Sequence, residues 1–336
     1  MTYEIIINNK KIGSQYNPYF IAEAGLNHNG DIKIAKQMID NAIESGADAI
    51  KFQTYKSEEF LTESSEYFDF FKNVELSYDE FKELNDYAKE KNFTFFSAPF
   101  DIPSADFLNQ IDVPCFKIAS SDLTNMPLIR HIAKMNKPMI ISTGISTMNE
   151  VEEAVNWCLS EKNDQIALLH CVANYPALPE ETNLDAIKSM MKKFNFPIGF
   201  SDNGESELVD IAAVSLGACI VEKHYTLDKK FDGPDHSFSI EPKDLKNLTS
   251  QLSLIKKIKG TGLKQPTDFE LLNKPAIRKS ITAKVDILKG EKLTENNMSI
   301  KRPEGGIEPK SWDSLLSKCT NKLIKKDSVI KWDDLI

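Results

Sequence analysis

Paired cysteines are missing from this sequence. Its five, Cys115, Cys158, Cys171, Cys219 and Cys319, show no CxxC spacing. Several lie in apolar segments, as buried thiols do. An odd count without pattern suits a reducing cytoplasm rather than a disulfide framework. An excess of basic residues is missing too. The formal net charge of −9 argues against a general nucleic-acid or anionic-membrane surface, so an anionic substrate would need a local basic pocket. There is no long apolar run, and Ile5-Ile6-Ile7 is too short for the apolar region of a signal peptide. The glycine pattern AGLNHNG has the wrong spacing for a dinucleotide fingerprint, and no Walker A pattern occurs.

What is present is a chain of 336 residues, 41% apolar, enough to bury a sizeable core. Residues 4–15 read as a hairpin. Eight short apolar stretches follow: Tyr19–Gly25, Ala47–Thr54, Phe93–Ala98, Pro114–Ser120, Pro138–Thr143, Ile166–Val172, Pro197–Ser201 and Ala218–His224. They are near-continuously apolar, as strands buried on both faces are. Helical patterns separate them, from Ile32–Ser45 to Pro242–Lys257. Eight βα units in one run predict an α/β fold, a closed (β/α)₈ barrel (TIM barrel), more than an open doubly wound sheet. It would occupy residues 1–258. Residues 259–277 read as a linker, and 278–336 as a small β-rich module.

Polar residues gather at the carboxyl ends of the strands, where barrels of this type hold their chemistry. The first strand opens into FIAEAGLNHNGD, which supplies Glu23, Asn27, His28 and Asn29, and Asp31 can cap the next helix. One such residue alone would read as a cap or a surface group. The cluster reads as a site because polar strand ends return in seven more units. They bring Lys51 and Gln53, Ser97, Lys117 and Ser120 to Asp122, Ser142, Tyr175, Ser201 to Asn203, and Glu222 to His224. Two lysines and several hydroxyls on one rim make a pocket for phosphate or carboxylate. The run Glu58–Phe71 reads as a solvated loop with a short helix that can also line the pocket, and His131 as a surface residue. For His236 a loop-ordering role and a place beside Asp235 stay open.

Together the stretches IAEAGLNHNGD, ADAIKFQT, SAPFD, FKIASSD, IISTG, LLHCVANYP, GFSDN, EKHYTLDK, GPDHSFS and KRPEGGI resemble the sialic acid synthase family. The resemblance covers essentially the whole chain. It implies condensation of phosphoenolpyruvate with an N-acetylmannosamine-type acetamido sugar, giving a nonulosonic acid and phosphate. It implies that Lys51, Lys117, Ser120, Ser142 and Ser201 hold phosphoenolpyruvate, that Gln53, Asp122, Tyr175, Asp235 and Arg302 face the sugar, and that Glu23 is the acid-base group, with Lys51 and Lys117 catalytic. It implies a divalent cation, manganese or magnesium, on His224 and Asn203. It also implies a C-terminal antifreeze-like (SAF) domain that crosses to a neighbouring subunit in a domain-swapped homodimer, and a cytoplasmic enzyme making polysaccharide precursors.

There are three departures from the family pattern. Asn203 stands where a second histidine ligand is usual, Ala98 where a threonine is common, and Val172-Ala173 where hydroxyl or amide residues are usual. Asn174 or water would then replace a lost hydroxyl. Two other readings of the same residues remain: a Schiff-base aldolase with Lys117 or Lys51 as nucleophile, and a non-catalytic sugar-binding relative with a lapsed metal site. The sequence leaves the sugar open among N-acetylmannosamine, a 2,4-diacetamido-trideoxy hexose and other acetamido aldoses.

Overall fold

In the computed structural model, residues 3–336 are described, and the chain divides into two compact units, Met1–Gly260 and Thr261–Ile336. The first unit begins with the expected hairpin, β1 (Glu4–Ile7) paired antiparallel with β2 (Lys10–Gly13). Eight parallel strands then close on themselves: β3 (Tyr19–Gly25), β4 (Ala49–Thr54), β5 (Thr94–Pro99), β6 (Phe116–Ile118), β7 (Met139–Ser142), β8 (Ile166–Cys171), β9 (Ile198–Asp202) and β10 (Ile220–His224). β10 pairs with both β9 and β3, so no edge is left. Every residue of β3, β7, β9 and β10 is buried, the apolar ones as strands covered on both faces require and the polar ones gathered toward the carboxyl ends.

The connecting helices are α1 (Ile32–Glu44), α2 (Ser57–Phe60), α3 (Phe68–Val74), α4 (Tyr78–Glu90), α5 (Ile102–Gln110), α6 (Met126–Ala133), α7 (Met148–Ser160), α8 (Asp185–Lys193), α9 (Glu207–Leu216) and α10 (Pro242–Lys259). Their starts are written in the sequence. The Asp31 side chain accepts from the Lys33 N–H at α1, and Ser77 with Glu80 forms a reciprocal capping box at α4. Asp101, at the end of β5, is also a cap. It accepts from the Ser104 N–H at α5 and from the Lys56 N–H across the β4 loop. The α1 face Ala35, Met38, Ile39 and Ala42 is buried, at the spacing a barrel-facing helix requires.

The second unit has its own core, formed by Ile281, Ala283, Ile287, Leu293, Met298, Ile307, Leu315, Ile324 and Ile330. Strands β11 (Ser280–Ala283) and β12 (Met298–Lys301) pair antiparallel within it. Residues 259–277, expected as a linker, contain a helix, α11 (Asp268–Ile277), capped by Thr267 with Glu270 and with no buried residue. The capping box holds that helix without a periodic apolar stripe, which is why periodicity did not reveal it. No helix among the described residues is long and apolar enough to cross a membrane.

Candidate active site

A cavity of about 710 Å³ opens at the carboxyl ends of the barrel strands. It is of the size that small-molecule sites have. Glu23, Lys51, Gln53, Lys117, Ser120, Ser142, Tyr175, Ser201, Asn203, His224 and Asp235 all line it. They come from seven different strands or the loops after them. The pleat accounts for part of this: Glu23 of β3 lies level with Lys51 of β4 and with His224 of β10. A register shift between Glu23 and Gly25 ends the regular pairing there. Gly25 has φ +51°, and a Cβ on it would stand 3.5 Å from the His224 ring and 3.4 Å from Asp235. Only glycine takes that turn readily while leaving the imidazole and the carboxylate their room.

The floor of the cavity is a buried ionic network. The Lys51 ammonium is 2.9 Å from Glu23 and 3.4 Å from Glu222, and the Lys117 ammonium is 3.1 Å from the same Glu222 oxygen. Ser201 Oγ donates to that oxygen at 3.3 Å, and Gln53 Nε2 donates to Glu23 at 3.2 Å. All four charged groups are at most 4% exposed. Glu222 was named from the sequence only as a polar strand end and given no role, because in a strand ending Glu222-Lys223-His224 nothing in the order of residues says which side chains face inward. It is the hub of the network.

The two carboxylates differ. Burial pushes the pKa of Glu23 up, and Lys51 only partly offsets this. Burial acts on Glu222 in the same direction, but Lys117 and Lys51 together outweigh it and hold its pKa below the usual carboxylate range. Burial also lowers the pKa of Lys117, whereas at Lys51 the two carboxylates overcome burial and raise it. A pair of acids pushed apart in this way separates a group that can carry a proton from one that stays ionised.

Hydroxyls surround this floor. Ser142 Oγ is buried without a hydrogen-bond partner, and Ser120 Oγ accepts from the Gly144 N–H at 3.0 Å. A Cβ on Gly144 would come within 2.7 Å of that Oγ, so this close approach needs glycine. At the rim, Asn203 Nδ2 donates to the Val172 carbonyl at 2.8 Å, which leaves its amide oxygen as the free donor to a cation. The His224 Nδ1 is buried without a hydrogen-bond partner, 3.7 Å from the Asp235 carboxylate. An orphaned imidazole nitrogen, an amide oxygen and a carboxylate fit a hard divalent cation. Among the described residues, no group of three His, Cys, Asp or Glu side chains is arranged to hold a metal.

Several expectations need adjustment. Of the first-strand cluster, only Glu23 lines the cavity. Asn27 Nδ2 donates to the Tyr225 carbonyl and Ser239 Oγ, His28 Nδ1 accepts from the Gly30 N–H, and Asn29 Nδ2 donates to the Asp232 carbonyl. Asn27 and Asn29 join the loop after β3 to the segment after β10 that carries Asp235. His236 belongs to the same fastening: its Nδ1 is 2.7 Å from Thr226 Oγ1 and its Nε2 is 3.2 Å from Asn29 Oδ1. Asp122 is buried and accepts from Asn125 Nδ2 at 2.9 Å, and it is not part of the cavity lining. Asn174, expected to replace a lost hydroxyl, turns to Glu181 at 3.0 Å and does not line the cavity either. Ala173 does line it, and Ala98 is buried behind it. His131 pairs with Asp106 at 2.7 Å, away from the site. Arg302 is exposed on the second unit.

Comparison with known proteins gives the same family at every level. Residues 38–264 match the NeuB family and residues 278–336 match the SAF domain. The chain is 41% identical to an N,N'-diacetyllegionaminic acid synthase of Campylobacter jejuni, over 93% of this chain and 98% of that protein. It is 34% identical to the N-acetylneuraminate-9-phosphate synthase of Mus musculus, over 95% of this chain and 93% of that protein. Its fold resembles the crystal structure of an N-acetylneuraminic acid synthetase from Leptospira borgpetersenii in complex with citrate. There the TM-score is 0.78 at 40% identity, covering 81% of this chain and 95% of that one. The chain therefore belongs to the NeuB family, the sialic acid synthase-like proteins that join this barrel to a SAF domain.

Proposed function

We propose that this protein is a phosphoenolpyruvate-dependent nonulosonic acid synthase, joining phosphoenolpyruvate to an N-acetylmannosamine-type acetamido aldose with release of phosphate. The observation that carries this reading is the floor of the cavity: two buried lysines, two carboxylates of divergent pKa and three serine hydroxyls around one space. A dianionic phosphate needs cations that have already lost their water, and Lys51 and Lys117 meet that need. Their relatives' names point the same way, and differ in what they place at the far end of the sugar: a second N-acetyl group in one, a phosphate in the other.

In this reading C3 of phosphoenolpyruvate attacks the aldehyde carbon, forming the new C–C bond. Glu23, whose pKa burial raises, gives a proton to the aldehyde oxygen. Water adds to the cationic C2, and the Glu23 carboxylate takes back a proton. The tetrahedral intermediate then breaks the C2–O bond to the phosphate oxygen and expels phosphate, which carries off the C2 hydroxyl proton and leaves a 2-keto acid. Lys51, Lys117, Ser120, Ser142 and Ser201 hold the phosphate and carboxylate charge throughout. Glu222 stays ionised and fixes both ammonium groups. Gln53, Tyr175 and Asp235 orient the sugar. His224 and Asn203 would hold the divalent cation, which when bound supplies Lewis-acid polarisation of a carbonyl. Arg302 would be the contribution of a neighbouring copy of the chain, in a homodimer.

The test is phosphate release from phosphoenolpyruvate with acetamido aldoses, with magnesium or manganese and with chelator. Sugar-dependent release that chelation suppresses is expected, as is loss of release in Lys117→Ala protein that stays folded. Near-normal turnover of Lys117→Ala would defeat the assignment. Borohydride trapping of a lysine adduct would favour a Schiff-base aldolase instead.

A further inference from the structure

The floor of the cavity is ionic, but its outer wall is carbon. Leu26, Phe60, Tyr67, Phe70, Phe71 and Phe100 line it. Phe60, Phe70 and Phe71 come from α2 and α3, two short helices inserted between β4 and α4. This insert is a built wall. The Phe60 ring centroid is 5.2 Å from that of Phe71 and 4.8 Å from that of Phe100. All three rest on buried Tyr55, whose hydroxyl donates to the Phe71 carbonyl at 3.0 Å. Glu75 locks the insert by accepting from the Lys56 ammonium at 2.8 Å and from the Ser57 N–H and hydroxyl. The rings of Phe60, Phe70 and Phe71 are nevertheless only half-buried, so this ordered apolar surface faces an open cavity.

Charge gives a second, independent observation. The only lysines or arginines of the lining are Lys51 and Lys117, and both are engaged with carboxylates on the floor. Within one chain's lining the wall offers no cation, and the charged group at the rim is the acid Asp235. A phosphate held against this wall would lose its water and gain no partner. Methyl groups held there would lose water to aromatic carbon, which favours binding.

We propose that the wall selects an acceptor aldose that is apolar at the end remote from its aldehyde: a 2,4-diacetamido-2,4,6-trideoxy hexose. Its C6 methyl and second acetyl methyl lie on Phe60, Phe70 and Phe71, and N-acetylmannosamine and its 6-phosphate are the disfavoured acceptors. This rests on the synthase reading and names its sugar. One methyl-sized group in an apolar pocket discriminates by about 10- to 200-fold, so a preference of at least about 10-fold over N-acetylmannosamine is expected.

The experiment compares the three sugars on the full-length protein in two ways. One is kcat/KM for phosphate release from phosphoenolpyruvate. The other is the dissociation constant of each sugar without phosphoenolpyruvate, by saturation-transfer NMR. The trideoxy sugar should lead in both, and the 6-phosphate should come last. Phe71→Ala should collapse the ratio of trideoxy sugar to N-acetylmannosamine, and Phe71→Leu, which keeps an apolar side chain, should lower it less. Equal or better binding of N-acetylmannosamine or its 6-phosphate overturns the wall's role, as does failure of all three sugars to bind. Preferential binding of the trideoxy sugar with no phosphate release would uphold the wall and sink the synthase reading instead.

Discussion

At the scale of single residues, the central contrast is between Glu23 and Glu222. Both are buried and both touch Lys51, yet their pKa values move in opposite directions because Glu222 answers to two lysines. Glu23→Gln keeps the shape but removes the mobile proton, so kcat should fall by about 10²–10⁴-fold with little change in melting temperature. Steady-state phosphate release and thermal unfolding of the same sample check this, and a tenfold or smaller loss would remove Glu23 from the proton-carrying role. Glu23 was legible in the sequence because an acid ends an apolar strand. The role of Glu222 was not, because the inward direction of an alternating strand end depends on register, which appears only once β10 pairs with β3 and β9. For the same reason Asn27, His28 and Asn29 read as ligand-binding groups, whereas their hydrogen bonds serve the loops.

Two elements show how the site is supported from outside. Behind β9 and β10, the Lys223 ammonium pairs with Asp202, lies 3.2 Å from Asp210 of α9, and donates to the Gly204 carbonyl at 2.8 Å. It thus holds the turn that carries Asn203. Burial pushes the Asp210 pKa well up against the pull of Lys223, whose ammonium also pairs with Asp202. Lys223→Met strands a buried carboxylate and should cost about 3–5 kcal/mol. Asp210→Asn keeps a polar group of the same shape and leaves Lys223 its pairing with Asp202, so it should cost less than about 1 kcal/mol. Denaturant unfolding of the two variants decides, and equal losses would contradict this division of roles.

The α2–α3 insert gives a prediction in pH. Burial acts to raise the Glu75 pKa, but the Lys56 and Ser57 hydrogen bonds hold it at about 2. A lowered carboxyl pKa stabilises the fold at pH values above its unfolded value. That contribution is lost as pH falls through the folded one. The stability gap between the native protein and Glu75→Gln should therefore be full at pH 7 and shrink steadily below pH about 4.5. A gap that is constant across this range would show that the Glu75 charge does not hold the insert. The aromatic residues of this insert were visible in the sequence, but their burial against Tyr55 was not, since it depends on Phe100 from a different βα unit.

At the scale of the whole molecule, eight apolar stretches and the helical patterns between them were enough to read a barrel, because strands buried on both faces have few alternatives. Their polar ends then located the cavity. Of the two residues proposed to hold a cation, His224 has a buried Nδ1 without a hydrogen-bond partner, and Asn203 donates its amide nitrogen to Val172. The second unit keeps a separate apolar core. Protein ending at Gly260 should accordingly retain a cooperative thermal transition, and a non-cooperative melt would contradict the independence of the barrel.

The most direct test of the account follows the oxygen. The reaction is run in ¹⁸O-labelled water with phosphoenolpyruvate, the accepting sugar and magnesium, and the released phosphate is weighed by mass spectrometry. Water adding at C2 and cleavage of the C2–O bond predict phosphate free of ¹⁸O. Labelled phosphate, or none released with any acetamido sugar by folded protein, would contradict the account.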